Sequence, residues 1–290
     1  MINRRNFLRF LAGVPLAMSG SLEVLASQRA EEGLSASEFF KKFPEKLNGA
    51  REVRKYQTSG ARYNLVHINQ SHLNIDFIDY QLPKSDYPKV NAVQKDIYNI
   101  LTDLSSRGLN DSVRVEGVFR DKDEDLTVEQ SQEYRRILGL VGEEFPYLPG
   151  TGLKLASEGK IKIEQGDDFP AMMICELARQ GTLEFFFYNQ RNLLPSNQLE
   201  IIQKHGFSED FYRRDNRENA LLELMANEGR TNNVLTYGAA HQFGGKQSCG
   251  DNYPSKNLNG GSQYNLADWN SENPDKKFSL IEVFPKNLHF

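Results

Sequence analysis

Val90-Asn91-Ala92-Val93-Gln94-Lys95-Asp96-Ile97-Tyr98-Asn99-Ile100-Leu101-Thr102-Asp103-Leu104 places apolar side chains at Val93, Ile97, Ile100, Leu101 and Leu104. Spacings of three and four put them on one helical face. The pattern predicts a helix from about Val90 to Arg107, ended by Gly108. Before it, Tyr63 to Ile68 reads as a buried strand, and after it Val113 to Val118 reads as another. Strands joined by a helix of that length form a βαβ unit, so they lie parallel in one sheet.

Outward from this unit the same alternation continues. Helices are expected over Glu129–Val141, Ala171–Arg179 and Asn219–Asn227, with strands at Ile161–Ile163, Val234–Tyr237 and Phe278–Phe284. Gln81 to Tyr87 reads as loop. The expected fold is α/β, a central mainly parallel β-sheet flanked by helices, in a single domain over 61–290. Residues 27–60 read as an N-terminal helical arm whose helix is capped at Ser35. Gly244 to Pro274 shows no period and adjoins a candidate site residue. It is expected to act as a lid, touching the crevice through Gln242, Asn252 or Tyr253, or to be a surface insertion.

Composition narrows the function classes. The 290 residues carry a net charge of −4 and a pI near 5.8, with no basic stripe, so no nucleic-acid partner is expected. No apolar run has the length of a membrane span, which predicts no stable span in the mature chain. Met1-Ile2-Asn3-Arg4-Arg5-Asn6-Phe7-Leu8-Arg9 resembles a twin-arginine export signal, followed by a short apolar stretch and a small-residue cleavage site at Val24-Leu25-Ala26. Residues 1–26 are then an address read by the twin-arginine export machinery, and the protein is periplasmic or otherwise exported. Two arginines in an ordinary secretory signal are the alternative. Cys175 and Cys249 are the only cysteines and would be free to pair in an oxidising compartment, although Cys175 falls in an apolar helix where a thiol packs as a small hydrophobe.

Three strand-like runs end on residues with chemistry. Leu65-Val66-His67-Ile68-Asn69-Gln70-Ser71-His72 leads to His72, Val113-Arg114-Val115-Glu116 to Glu116, and Asn233-Val234-Leu235-Thr236-Tyr237-Gly238-Ala239-Ala240-His241 to His241. In open α/β sheets the carboxyl ends of strands carry the site. Two imidazoles and a carboxylate also make a metal-ligand set with an open position. His67 lies within its strand and reads as packing or support. Glu116 needs a partner, whether metal, histidine or Arg120. Arg217, in the charged run Arg213–Asn219, is placed to reach an anion or Glu116 bidentately, while most of that run reads as solvated surface. Asp167-Asp168 is either a further site edge or a helix N-cap.

At these residues the chain resembles the superfamily of Tiki metalloproteases, TraB/PrgY proteins, ChaN haem-binding lipoproteins and erythromycin esterases. The matching order is Asn69-Gln70-Ser71-His72, Val115-Glu116-Gly117, Arg217-Glu218-Asn219 and Gly238-Ala239-Ala240-His241, spread over roughly residues 63–245. Asn69 departs from the glycine that opens the first motif. The resemblance implies an α/β fold with a site built from the two histidines and the glutamate. Some members look like metal-dependent hydrolases and others bind haem. Two functions are therefore expected in turn. The first is an exported hydrolase of peptide or ester bonds, with a divalent metal ion on His72, Glu116 and His241 and with Glu116 and Arg217 as catalytic groups. The second is a non-enzymatic haem- or ligand-binding protein, with Phe185-Phe186-Phe187-Tyr188 lining a pocket or forming a core strand.

Overall fold

Six strands form one sheet in the order β1-β6-β2-β5-β3-β4. In the computed structural model described here, residues 34–71, 83–118, 126–213, 215–238, 241, 243 and 266–288 are placed. The strands are β1 (Ala50–Tyr56), β2 (Tyr63–Gln70), β3 (Ser112–Val115), β4 (Lys162–Gln165), β5 (Asn232–Gly238) and β6 (Phe278–Pro285). All neighbouring pairs are parallel except β1 with β6. The expected mainly parallel α/β sheet is the fold.

The helix that links β2 to β3, α2 (Tyr87–Ser106), starts with Pro88 in its first turn and buries Val93, Ile97, Ile100, Leu101 and Leu104. These are the residues whose spacing predicts it. Alternation on the strands divides the core into two layers. Val66, Ile68, Val113, Val234, Ile281 and Val283 pack with α2 and with Phe39 and Phe40 of α1 (Ala36–Lys42). Leu65, Leu235, Tyr237, Phe278 and Leu280 pack on the other face with α9 (Asp215–Glu228) and α10 (Leu266–Glu272). A third cluster joins α5 (Phe169–Arg179), α6 (Leu183–Asn189), α7 (Ser196–His205) and α8 (Glu209–Arg213), and α3 (Leu126–Val141) packs against α4 (Thr151–Ser157).

Several expectations change. The arm over 27–60 holds the expected helix, with Ser35 and Glu38 closing a capping box. Its second half, however, is β1, an edge strand paired antiparallel to β6 with Lys55 opposite Ile281. Its charges, Arg51, Glu52, Arg54 and Lys55, suit an edge whose outer side meets water. The run Phe185–Tyr188 is not a core strand: it is helical, with Phe185 and Tyr188 exposed. Leu266–Glu272, expected as loop, is α10, and it buries Leu266 and Trp269. The rest of the proposed lid, with Gln242, Asn252 and Tyr253, lies outside the described residues, as do residues 1–26, Arg120 and Cys249. Cys175 is buried on α5, and burial raises its thiol pKa to about 11. Among the described residues no helix is long and apolar enough to cross a membrane.

The topology creates a crevice. From β2 the chain moves through α2 to β3, leaving a gap that β5 fills; from β5 it moves across β2 to β6. Adjacent parallel strands β2 and β5 thus send the chain in opposite directions at their carboxyl ends, the switch point where open sheets bind ligands.

Candidate functional site

Glu116 follows β3 in a β-turn closed by the Val118 N–H donating to the Val115 carbonyl, 3.1 Å. Gly117 occupies the turn's third position at φ +78°, the conformation a type II turn demands and glycine adopts without strain. The turn lifts the Glu116 carboxylate over the end of β5. There the Gly238 N–H donates to Glu116 Oε2 at 2.6 Å. A β-carbon on Gly238 would lie 3.0 Å from that oxygen, so a bare backbone is what allows the approach.

The first turn of α9 supplies the next two groups. Arg217, singled out from the charged run, is buried, and so is Glu218, which fell in the part read as solvated surface. Being adjacent on a helix, their side chains diverge. Arg217 reaches toward β3 and β4, and Glu218 toward His241 beyond β5. Arg217 does not grip Glu116 with its fork, as expected; it donates through Nε and Nη2 to Asp167 at 2.9–3.0 Å and meets Glu116 Oε1 only through Nη2 at 3.4 Å. Asp167 is fully buried. It also accepts from the Gly117 N–H at 2.6 Å and from the Tyr237 hydroxyl at 2.5 Å. Of the Asp167-Asp168 pair, Asp168 is the N-cap of α5, accepting from the Ala171 N–H at 2.9 Å, and Asp167 is the site edge.

His241 is held by a turn in which its N–H donates to the Gly238 carbonyl, 2.9 Å. Its ring lies 4.2 Å from the Tyr237 ring. Nδ1 bonds Glu218 Oε1 at 2.9 Å, and Nε2 stands 3.6 Å from Glu116 Oε1. A carboxylate on Nδ1 fixes the tautomer with the free lone pair on Nε2. Burial works against an imidazolium here, but the contacts with Glu116 and Glu218 outweigh it and raise the His241 pKa above its usual 6.5. Arg217 is likewise disfavoured by burial and rescued by Asp167, Tyr237 and Glu116, so that it stays charged. Tyr237, pushed up by burial, stays a hydroxyl donor.

The charge balance is the chemically useful feature. Three carboxylates, Glu116, Asp167 and Glu218, meet one guanidinium and one imidazole, an arrangement that welcomes a further positive charge. A proton on His241 is one form of it and a metal ion another. Tetrahedral bonds of about 2.1 Å place two donor atoms roughly 3.4 Å apart. The 3.6 Å between His241 Nε2 and Glu116 Oε1 suits one such edge. Among the described residues no group of three or more His, Cys, Asp or Glu is arranged to hold a metal. The third expected donor, His72, lies one residue beyond Ser71 at the exit of β2, outside the described residues.

His67, read as packing or support, is fully buried on β2, with Nε2 3.3 Å from the Tyr237 carbonyl and its ring edge-on to Phe243. Burial lowers its pKa to about 4, so it is neutral. The structure thus brings together Glu116, Arg217 and His241, and adds Asp167, Glu218 and Tyr237. Asp167 had a legible signal, since one aspartate of the pair suffices for the cap. Tyr237 had none, because an aromatic residue in a strand reads as core. No model of a known protein family, no curated protein and no solved structure matches the chain.

Proposed function

We propose that the protein is an exported, metal-dependent hydrolase of ester or peptide bonds, working at the carboxyl ends of β2, β3 and β5. One observation carries the reading: Glu218 fixes His241 so that Nε2 faces Glu116 Oε1 across 3.6 Å at the switch point. Carboxylate, histidine and an outward lone pair form the supporting pattern of metal-binding histidines. Glu116 and His241 are the donors, with His72 as the third. A divalent ion bound there supplies a Lewis acid and a water of lowered pKa.

The chain's own residues do the rest. Asp167 holds the Arg217 guanidinium in place, and Arg217 contacts Glu116 and stands ready to stabilise negative charge on a carbonyl oxygen. The Gly238 N–H pins the second oxygen of Glu116, and Oε1, which faces Arg217 and His241, is the oxygen that would bind metal or accept a proton. Twin-arginine export belongs to the same reading, supported by Arg4-Arg5 and Phe7-Leu8, because that route carries proteins folded with their cofactor.

The test is elemental analysis of the full chain purified after export from its host, with Glu116→Gln and His241→Ala alongside. One equivalent of a divalent metal, lost in both variants together with ester or peptide hydrolysis, is the expected result. Metal-free protein that hydrolyses nothing overturns the proposal. Iron with a Soret band overturns it in favour of haem binding.

A further inference from the structure

Helices α6 and α7 sit in the helical layer inserted between β4 and β5, away from the strand ends in sequence, and enclose a surface groove of about 430 Å³. Its walls are aromatic. Phe207 meets Phe187 at 5.8 Å and Tyr188 at 5.9 Å between ring centroids, and buried Ile202 closes the floor. Tyr188 is 69 % exposed and the adjoining Phe185 55 %, two of the three large apolar residues most open to water among the described residues. Apolar area left in water at one place marks a binding surface.

Arg191 is the only charged residue in the groove's lining. Its guanidinium rests over the Phe187 ring, 5.1 Å from the centroid. Among the described residues it forms no ion pair, whereas other arginines of the chain sit on carboxylates. A guanidinium held against an aromatic ring keeps its forked N–H donors, the groups that receive a carboxylate bidentately. The groove therefore carries positive charge on a chain whose net charge is −4. Its volume falls in the range of about 300–1,000 Å³ typical of small-molecule sites, and its lining follows their pattern of apolar walls with few polar groups.

We infer that this groove binds a medium-chain aliphatic carboxylate, the alkyl chain against Phe187, Tyr188 and Phe207 above Ile202, and the carboxylate on Arg191. The groove's lining shares no residue with the Glu116–His241 cluster, and binding in it does not depend on hydrolysis there.

Isothermal titration of the full chain with decanoate tests it, with decanol as the neutral comparator. Arg191 and Gln203 are both exposed, so Arg191→Gln and Gln203→Trp leave the fold intact, the first removing the charge and the second filling the groove. Decanoate is expected to saturate one site, weakened about fivefold by Arg191→Gln and abolished by Gln203→Trp, while decanol affinity is unchanged by Arg191→Gln. Absence of saturable binding, or binding indifferent to Gln203→Trp, overturns the proposal. So does an equal loss for decanol and decanoate in Arg191→Gln. Self-association of the wild-type chain that Gln203→Trp abolishes gives the groove to a second copy and overturns it as well.

Discussion

Asp167 does more for this site than any residue that would touch a substrate. It neutralises a buried guanidinium and accepts from a backbone N–H and a tyrosine hydroxyl. Removing one partner of a buried pair leaves an uncompensated charge, at a cost of about 3–5 kcal/mol. Asp167→Ala should therefore lower unfolding stability in urea by about 3 kcal/mol; a loss below about 1 kcal/mol would show that Arg217 finds water or another partner. Glu218 acts differently, through the ring of His241. Glu218→Gln removes the carboxylate that orients and polarises the imidazole, and loss of such support lowers metal affinity about 10–100-fold. Zinc titration of the two proteins checks this. Because a ligating imidazole must give up its proton, and the raised His241 pKa means that proton is held above pH 6.5, affinity in both should climb with pH.

At the scale of elements, what was legible followed from periodicity. The apolar spacing of α2 and the runs around Val66, Val113 and Val234 carry enough pattern to give a parallel sheet and its carboxyl edge. The residues at that edge, Glu116 and His241, were legible for the same reason, as the first polar groups after apolar strands. Elements whose burial is partial were not legible. Strand β1 reads Ala-Arg-Glu-Val-Arg-Lys-Tyr, too charged for a strand pattern, and pairs only along one side. Helix α6 holds four adjacent aromatics, which mask a helical period. The first turn of α9 hides Glu218 in a charged run whose partner His241 is 23 residues away, and Arg217, legible as a site residue, has its main partner Asp167 50 residues away.

The close packing of these elements makes two glycines unequal. At Gly166 a β-carbon would stand 2.2 Å from the Val115 carbonyl oxygen, a backbone atom that cannot step aside. At Gly238 the 3.0 Å contact is with a side-chain carboxylate that can move. Overpacking against a rigid neighbour costs about 1–3 kcal/mol or more. Gly166→Ala should thus lower the midpoint of denaturant unfolding strongly. Gly238→Ala should leave it nearly unchanged and instead weaken metal binding through the displaced Glu116. The reverse ranking would mean that β3 and β4 separate easily at their carboxyl ends.

For the whole molecule, two buried histidines on either side of Tyr237 set opposing pH limits. His67 has its pKa lowered to about 4, so between that value and about 6.5 the unfolded chain binds a proton that the fold refuses. Stability supplied by the neutral ring is complete above about pH 6.5 and is lost as pH falls toward 4, a change on the order of 3 kcal/mol at the lower end. His241 has its pKa raised, so here the fold holds a proton that the unfolded chain releases. Its contribution is complete below about pH 6.5 and is lost as pH rises through the folded value. In metal-free protein the two together make stability peak near pH 6.5. Carboxylates also titrate on the acid side, so the informative quantity is the difference between variants. His67→Gln should flatten the acid limb relative to wild type and leave the alkaline limb, and His241→Gln should do the converse. Urea unfolding at half-unit steps from pH 4 to 8 measures both. If His67→Gln retains the full acid slope, the ring finds a compensating charge on protonation, and Glu282, its register partner on β6, would be the first group to examine.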